Sequence, residues 1–237
     1  MTESSPESLP LVLVPGLTCT AQLYAPQVVA LWRYGAVTVA DHRRDADIKA
    51  MAARILANAP PRFALAGLSF GGYIAFEMMR QAPARIARLA LLDTSARPDT
   101  PEQTAGRKVQ IAMAQNGRYG EIADLSIPRY LHRNRQNDPA MTAIVRQMID
   151  ETGADAFVRQ LQAIMSRPDS RPLLASIRCP TLVLVGDGDL ATPPELNKEI
   201  ADGIPGARYV VVPDCGNLST VERPGAVNAA LAAWLEA

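Results

Sequence analysis

Ser69 stands at the centre of Gly67-Leu-Ser-Phe-Gly71, a G-x-S-x-G spacing preceded by the apolar run Phe63 to Ala66 and followed by Gly72-Tyr-Ile-Ala-Phe-Glu-Met-Met. Strand, five-residue turn and helix is the context in which such a serine becomes a nucleophile, because the sharp turn lifts Oγ above the sheet in a strained backbone conformation. Small residues at 67 and 71 let strand and helix approach without Cβ clashes. The helix that follows aims its N-terminal amides and positive dipole end at the hydroxyl. The plainer reading is an ordinary glycine-rich strand-to-helix turn. A second run, Thr181 to Val185, ends in Gly-Asp-Gly-Asp189. Catalytic groups of open parallel sheets collect at the carboxyl ends of strands, so Asp187 or Asp189 is expected to face the same crevice; capping of the helix near Pro193 is the plainer role. A third run, Tyr209 to Val212, leads into Pro-Asp-Cys-Gly-Asn217-Leu-Ser-Thr-Val-Glu222-Arg-Pro224 by the same location logic.

These positions make sense only if parallel strands deliver them to one edge. Apolar runs at Leu9 to Val14, Ala36 to Ala40, Phe63 to Ala66, Leu89 to Leu92, Thr181 to Val185 and Tyr209 to Val212 read as strands, most of them short and uninterrupted as in sheets buried on both faces. Helical periodicity lies between several of them: Ile48, Met51, Ile55 and Leu56 share a face, a helix follows Gly71, and Val227, Leu231 and Trp234 close the chain. Alternating strands and helices predict an α/β protein, a mostly parallel sheet covered by helices on both faces. The alternation stops over about 97 to 174, where the patterns Ile144, Val145, Met148, Ile149 and Phe157, Leu161, Ile164, Met165 are helical and prolines bound the interval. The division expected is 1–96 and 175–237 as the two parts of a core, with 97–174 an inserted helical cap; extra covering helices of the core are the alternative.

Composition excludes several classes of function. Among 237 residues, 24 Lys and Arg balance 24 Asp and Glu, so no cationic surplus exists for a nucleic-acid backbone. No apolar run nears the roughly 18 residues of a bilayer span, and Met1 to Pro10 lacks the charge and apolar core of a signal peptide. Three scattered cysteines without a C-x-x-C fit a reducing cytosol, and with only two histidines they give no zinc shell. No phosphate-binding or dinucleotide-binding glycine motif follows a strand, so neither metal nor cofactor is expected. Arg129, Arg133 and Arg135 read most simply as a solvated helix face; meeting an anionic substrate group at the pocket mouth is their other reading.

Taken together, the three strand ends resemble those of the α/β-hydrolase fold superfamily, in its serine-hydrolase branch, over essentially the whole chain. Pro15-Gly16-Leu17 resembles the oxyanion loop and Gly67 to Gly71 the nucleophile elbow. Val185-Gly186-x-x-Asp189-x-x-x-Pro193-Pro194 resembles the loop of the triad acid, which favours Asp189 over Asp187. The interval 97–174 resembles the cap. The resemblance implies a small acyl substrate, Ser69 as nucleophile, backbone N–H groups of Leu17 and Phe70 as oxyanion donors, and position 217 as general base. There the chain departs: Gly216 is followed by Asn217 where the family has histidine, with Glu222 and Pro224 following as usual. An amide holds geometry but takes no proton, so an impaired carboxylic-ester hydrolase is expected, and a non-catalytic ligand binder on the same fold is the alternative. His42 and His132 are expected to be ordinary structural or surface residues rather than substitutes, and Cys215 a small buried apolar group.

Overall fold

The computed structural model describes residues 9–237. The polar segment Thr2 to Ser8, and with it most of the stretch read against a signal peptide, lies outside the described residues. One sheet holds six strands: β1 (Leu11–Val14), β2 (Val37–Val39), β3 (Phe63–Leu68), β4 (Ile86–Leu92), β5 (Thr181–Gly186) and β6 (Arg208–Val212). They pair in parallel throughout, in the order β2-β1-β3-β4-β5-β6. The helices are α1 (Ala25–Leu31), α2 (Ile48–Asn58), α3 (Phe70–Gln81), α4 (Pro101–Gln115), α5 (Ile122–Tyr130), α6 (Pro139–Thr152), α7 (Ala154–Met165), α8 (Arg171–Leu174), α9 (Pro194–Gly203), α10 (Ser219–Glu222) and α11 (Pro224–Glu236).

The uninterrupted apolar runs are explained by two cores, one on each face of the sheet. Side chains alternate along a strand, so Val12 and Val14 join Leu65, Leu89 and Val183 in a core closed by α2, α3, α7 and α9. Leu11 and Leu13 join Ala64, Ala66, Leu92, Leu182 and Leu184 in the opposite core, beneath α1, α6 and α11. Local signals start several helices. Asp47 accepts from the backbone of Lys49 and Ala50 at the start of α2, Asp138 does the same for α6, and Thr100 with Gln103 forms a capping box ahead of Pro101 in α4. The expected α/β class is the observed one.

Strand order places the chemistry. The chain leaves β1 for β2 on one side and returns as β3 on the other, so the loops after β1 and β3 diverge at a topological switch point, where open sheets have their crevice. The loop after β1 carries Pro15 to Cys19 and the turn after β3 carries Ser69. Between β4 and β5 the chain runs through α4 to α8 with no strand. The stripe expected to be covered there is covered, with small shifts: Val145, Met148, Ile149, Phe157, Leu161 and Ile164 are buried, whereas Ile144 and Met165 are half-buried. The Arg129, Arg133, Arg135 cluster does not share a helix face, because α5 ends at Tyr130 and the later two arginines follow it in turns. Among the described residues no helix is long and apolar enough to cross a membrane.

Candidate active site

Ser69 joins β3 to α3 with φ 54° and ψ −114°, a conformation that non-glycine residues rarely adopt. The strain is held from both sides. Its N–H donates to the Leu92 carbonyl at 2.9 Å, and its carbonyl accepts from Gly72 N at 2.9 Å and Thr94 Oγ1 at 2.8 Å. Close approach explains the glycines: a Cβ at Gly71 would lie 2.0 Å from the Val14 carbonyl oxygen, and one at Gly67 would lie 2.3 Å from that of Gly71. The Ser69 side chain is half-buried at the floor of a cleft of about 340 Å³ that Leu17, Phe70, Tyr73, Phe157 and Thr192 also line. The N–H groups of Leu17 and Phe70 donate to no acceptor among the described residues. That leaves two backbone donors beside the serine without protein partners.

Asp189 and Asn217 meet in the interior. Asn217 Nδ2 donates to Asp189 Oδ2 at 2.9 Å, to Thr192 Oγ1 at 3.1 Å and to the Asp93 carbonyl at 3.2 Å. Asp189 Oδ1 also accepts from the N–H groups of Ala191 and Thr192, and Oδ2 from the Thr192 hydroxyl. Asp187 is exposed and accepts from Cys215 N instead, away from the Asn217 side chain. No hydrogen bond links Asn217 to the Ser69 hydroxyl among the described residues. Since Nδ2 is committed to the carboxylate, Oδ1 is what Asn217 has left to offer the serine.

The loop that carries Asn217 is pinned to the helical segment above the sheet. Asn217 N and Leu218 N share the Tyr130 carbonyl, while Glu222 accepts from Gly216 N and His132 N, both at 2.9 Å. Burial raises the Glu222 carboxyl above its ordinary range, against the pull of those backbone donors. Asp189 is likewise raised by burial, opposed by its four hydrogen bonds. Asp93, a residue that sequence reading passed over, is fully buried at the end of β4, where it accepts from Ser219 Oγ and Gly186 N. Burial and the neighbouring Asp189 charge push it well above the carboxylate range. Asp189 collects four hydrogen bonds against two at Asp93, so the negative charge is favoured on Asp189.

Neither histidine hydrogen-bonds to Ser69 among the described residues. His42 is buried 5.4 Å from the Phe70 ring, and burial holds its pKa down at about 4. Its Nε2 lies 3.0 Å from the Pro15 carbonyl and Nδ1 lies 3.0 Å from Gln160 Nε2, while Gln160 Oε1 accepts from Thr18 N at 3.1 Å. A carbonyl only accepts, so the proton is on Nε2 and Nδ1 receives the amide of Gln160. This closed chain ties the turn after β1 to α7. His132 is buried beside Gly188, with Nδ1 accepting from Asn134 N. Cys215 is a buried thiol raised by burial. Gln160 had no local signal in the sequence; the contacts that define it lie 118 and 142 residues away.

Residues 11–230 match the model of the alpha/beta hydrolase family. A thermophilic esterase from Thermogutta terrifontis superposes with a TM-score of 0.88 at 34% identity, over 96% of this chain and 89% of that one. The enol-lactonase of Burkholderia xenovorans gives a TM-score of 0.88 at 28% identity, over 98% and 92%. A Mycobacterium tuberculosis protein named as a candidate non-heme bromoperoxidase, BpoC, is 31% identical over 189 residues, covering 73% of this chain and 67% of its own.

Proposed function

The chain belongs to the alpha/beta hydrolase family, and from that premise we propose that it is a serine hydrolase of carboxylic esters or related acyl compounds, held nearly idle by the residue at 217. Ser69 Oγ is the nucleophile. Its attack on an acyl carbonyl forms a tetrahedral centre whose oxygen is held by the N–H groups of Leu17 and Phe70. Collapse of that centre expels the alcohol and leaves an acyl-Ser69 that water then cleaves. Both steps move a proton from the attacking oxygen to the departing one, and position 217, held by Asp189, is where a base to carry it would stand. The helices α4 to α8 act as the cap over the acyl group. The observation that carries the reading is a strained, half-buried Ser69 on a cleft that Thr192 also lines, Thr192 in turn bonding the buried Asn217–Asp189 pair.

An amide cannot take the Ser69 proton near neutral pH, so chemistry fails while binding persists, since the cleft and the backbone donors need no base. Substituting Asn217→His is expected to raise kcat on a panel of esters, lactones and thioesters by at least about 10³, with a much smaller change in KM. Ser69→Ala in that background is expected to remove the gain. A restored protein no faster than its parent, or one indifferent to Ser69→Ala, would overturn the assignment. One observation favours a second reading, a ligand-binding protein that keeps the cleft: Asn217 Nδ2 is fully used in joining Asp189, Thr192 and Asp93, so the site is well formed without a base. Inertness of the Asn217→His protein across the panel, with ligand binding intact, selects that reading.

A further inference from the structure

We propose that the compound recognised in the Ser69 cleft carries an ionised carboxylate besides its reactive acyl group, held by Arg107 and Arg129. The inference rests on the reading of that cleft as an acyl-substrate site. Asp99 is buried at 3% side-chain exposure between two guanidiniums, Arg107 at 2.6 Å and Arg167 at 2.6 Å. Arg167 is 6% exposed and does not line the cleft. It donates to the carbonyls of Arg97 and Ile164 as well as to Asp99, and its guanidinium lies 4.2 Å from the Tyr73 ring centroid. Arg107 donates to Asp99 through Nε and Nη2 only, which leaves Nη1 without a protein acceptor among the described residues, and Arg107 lines the cleft.

Two guanidiniums and one carboxylate leave a unit of positive charge uncompensated in a poorly solvated place, which is costly unless an anion completes it. Arg129 lines the same cleft with no carboxylate within salt-bridge distance among the described residues. Arg107, Arg129 and Tyr130 line the one cleft. Glu102 is the acid in the cleft lining, and it is exposed. Arg107, Arg129 and Arg167 against Asp99 and Glu102 leave one positive charge in excess, and with the free guanidinium edge of Arg107 it matches a monoanionic carboxylate, which accepts in parallel from such a fork.

The test uses the protein as it stands, because slow turnover permits equilibrium binding. Calorimetry compares monomethyl esters of dicarboxylic acids of about four to eight carbons with the corresponding dimethyl esters. The half-esters are expected to bind at least about tenfold tighter for the best chain length, as for a charge-assisted hydrogen bond made in a cleft. Arg129→Gln is expected to cut that preference severalfold and Arg107→Gln to erase most of it. If Arg107→Gln fails to fold by circular dichroism, Arg129→Glu reads the same preference from an exposed position. Equal affinities, absence of binding by the half-esters, or a preference that survives both substitutions would overturn the inference. The two readings separate in the Asn217→His protein. Cleavage of half-esters and diesters with equal kcat/KM sustains the hydrolase and removes the carboxylate site. A retained half-ester preference in binding with neither compound cleaved does the reverse.

Discussion

At the scale of single residues, the distinction that matters is between a group that holds geometry and one that holds a proton. Asn217 satisfies Asp189, Thr192 and the Asp93 carbonyl as a histidine ring N–H would satisfy the first of them, so nothing nearby registers the loss. On the proposed reading, what asparagine lacks there is basicity alone. A histidine restored at 217 would meet an anionic Asp189, which favours the charged imidazolium and raises its pKa relative to a histidine without that partner. The restored protein is therefore expected to show kcat/KM rising with pH and levelling off once the imidazole is neutral. The parent's residual rate is expected to lack that step; a flat profile from pH 5 to 9 in the restored protein would sink the general-base role. Asp189→Asn in the restored background is expected to cost on the order of 10⁴ in kcat, as when a triad acid is lost elsewhere, whereas Asp187→Asn is expected to cost little because that side chain is exposed. Ser69 was legible in the sequence because its turn, glycines and flanking strand are local. Asp189 was preferred to Asp187 only through the resemblance of its loop, since two acids two residues apart otherwise differ only in what folds against them.

At the scale of elements, the strands could be read from the chain because burial on both faces removes polar residues from short runs. The elements above the sheet were legible as helices but not in their contacts. Gln160 belongs to an amphipathic stripe and looks like a core-edge residue, yet it joins α7 to His42 and to the turn after β1. Gln160→Leu keeps the approximate volume and leaves Thr18 N and His42 Nδ1 without partners in a buried place. At about 1–3 kcal/mol for each orphaned group, the variant is expected to lose roughly 2–6 kcal/mol of stability by denaturant titration. In the Asn217→His background it is also expected to lower kcat more than it raises KM, because the turn it releases supplies the Leu17 donor. An equal effect on kcat and KM, or none on either, would make the chain of contacts merely structural. Asp99 with its two arginines escaped sequence reading for the same reason: the Asp99 and Arg167 partners are 68 residues apart and neither interrupts a local pattern.

At the scale of the whole molecule, the buried ionisable groups set how stability varies with pH, and they pull in opposite directions. His42 is depressed to about 4 from 6.5. The unfolded chain thus binds its proton first, and the stabilisation present above pH 6.5 is lost as pH falls toward 4. Asp93 is raised well above 3.8 by burial and by Asp189. The folded chain keeps a proton that the unfolded chain releases, so stability is full below about 3.8 and declines as pH rises toward the folded value. Asp93→Asn preserves the shape, with its oxygen accepting from Gly186 N and its amide donating to Ser219 Oγ, and it removes the titration. Each pKa unit corresponds to about 1.4 kcal/mol, and a chain of this size shifts its Tm by about 2–4 °C per kcal/mol. The variant is therefore expected to match its parent near pH 4 and to melt several degrees higher at pH 8. Parallel thermal melts across that range check it. A gap that stays constant with pH would mean that Asp93 is ionised in the folded protein, and that the buried negative charge beside Asn217 is larger than one carboxylate.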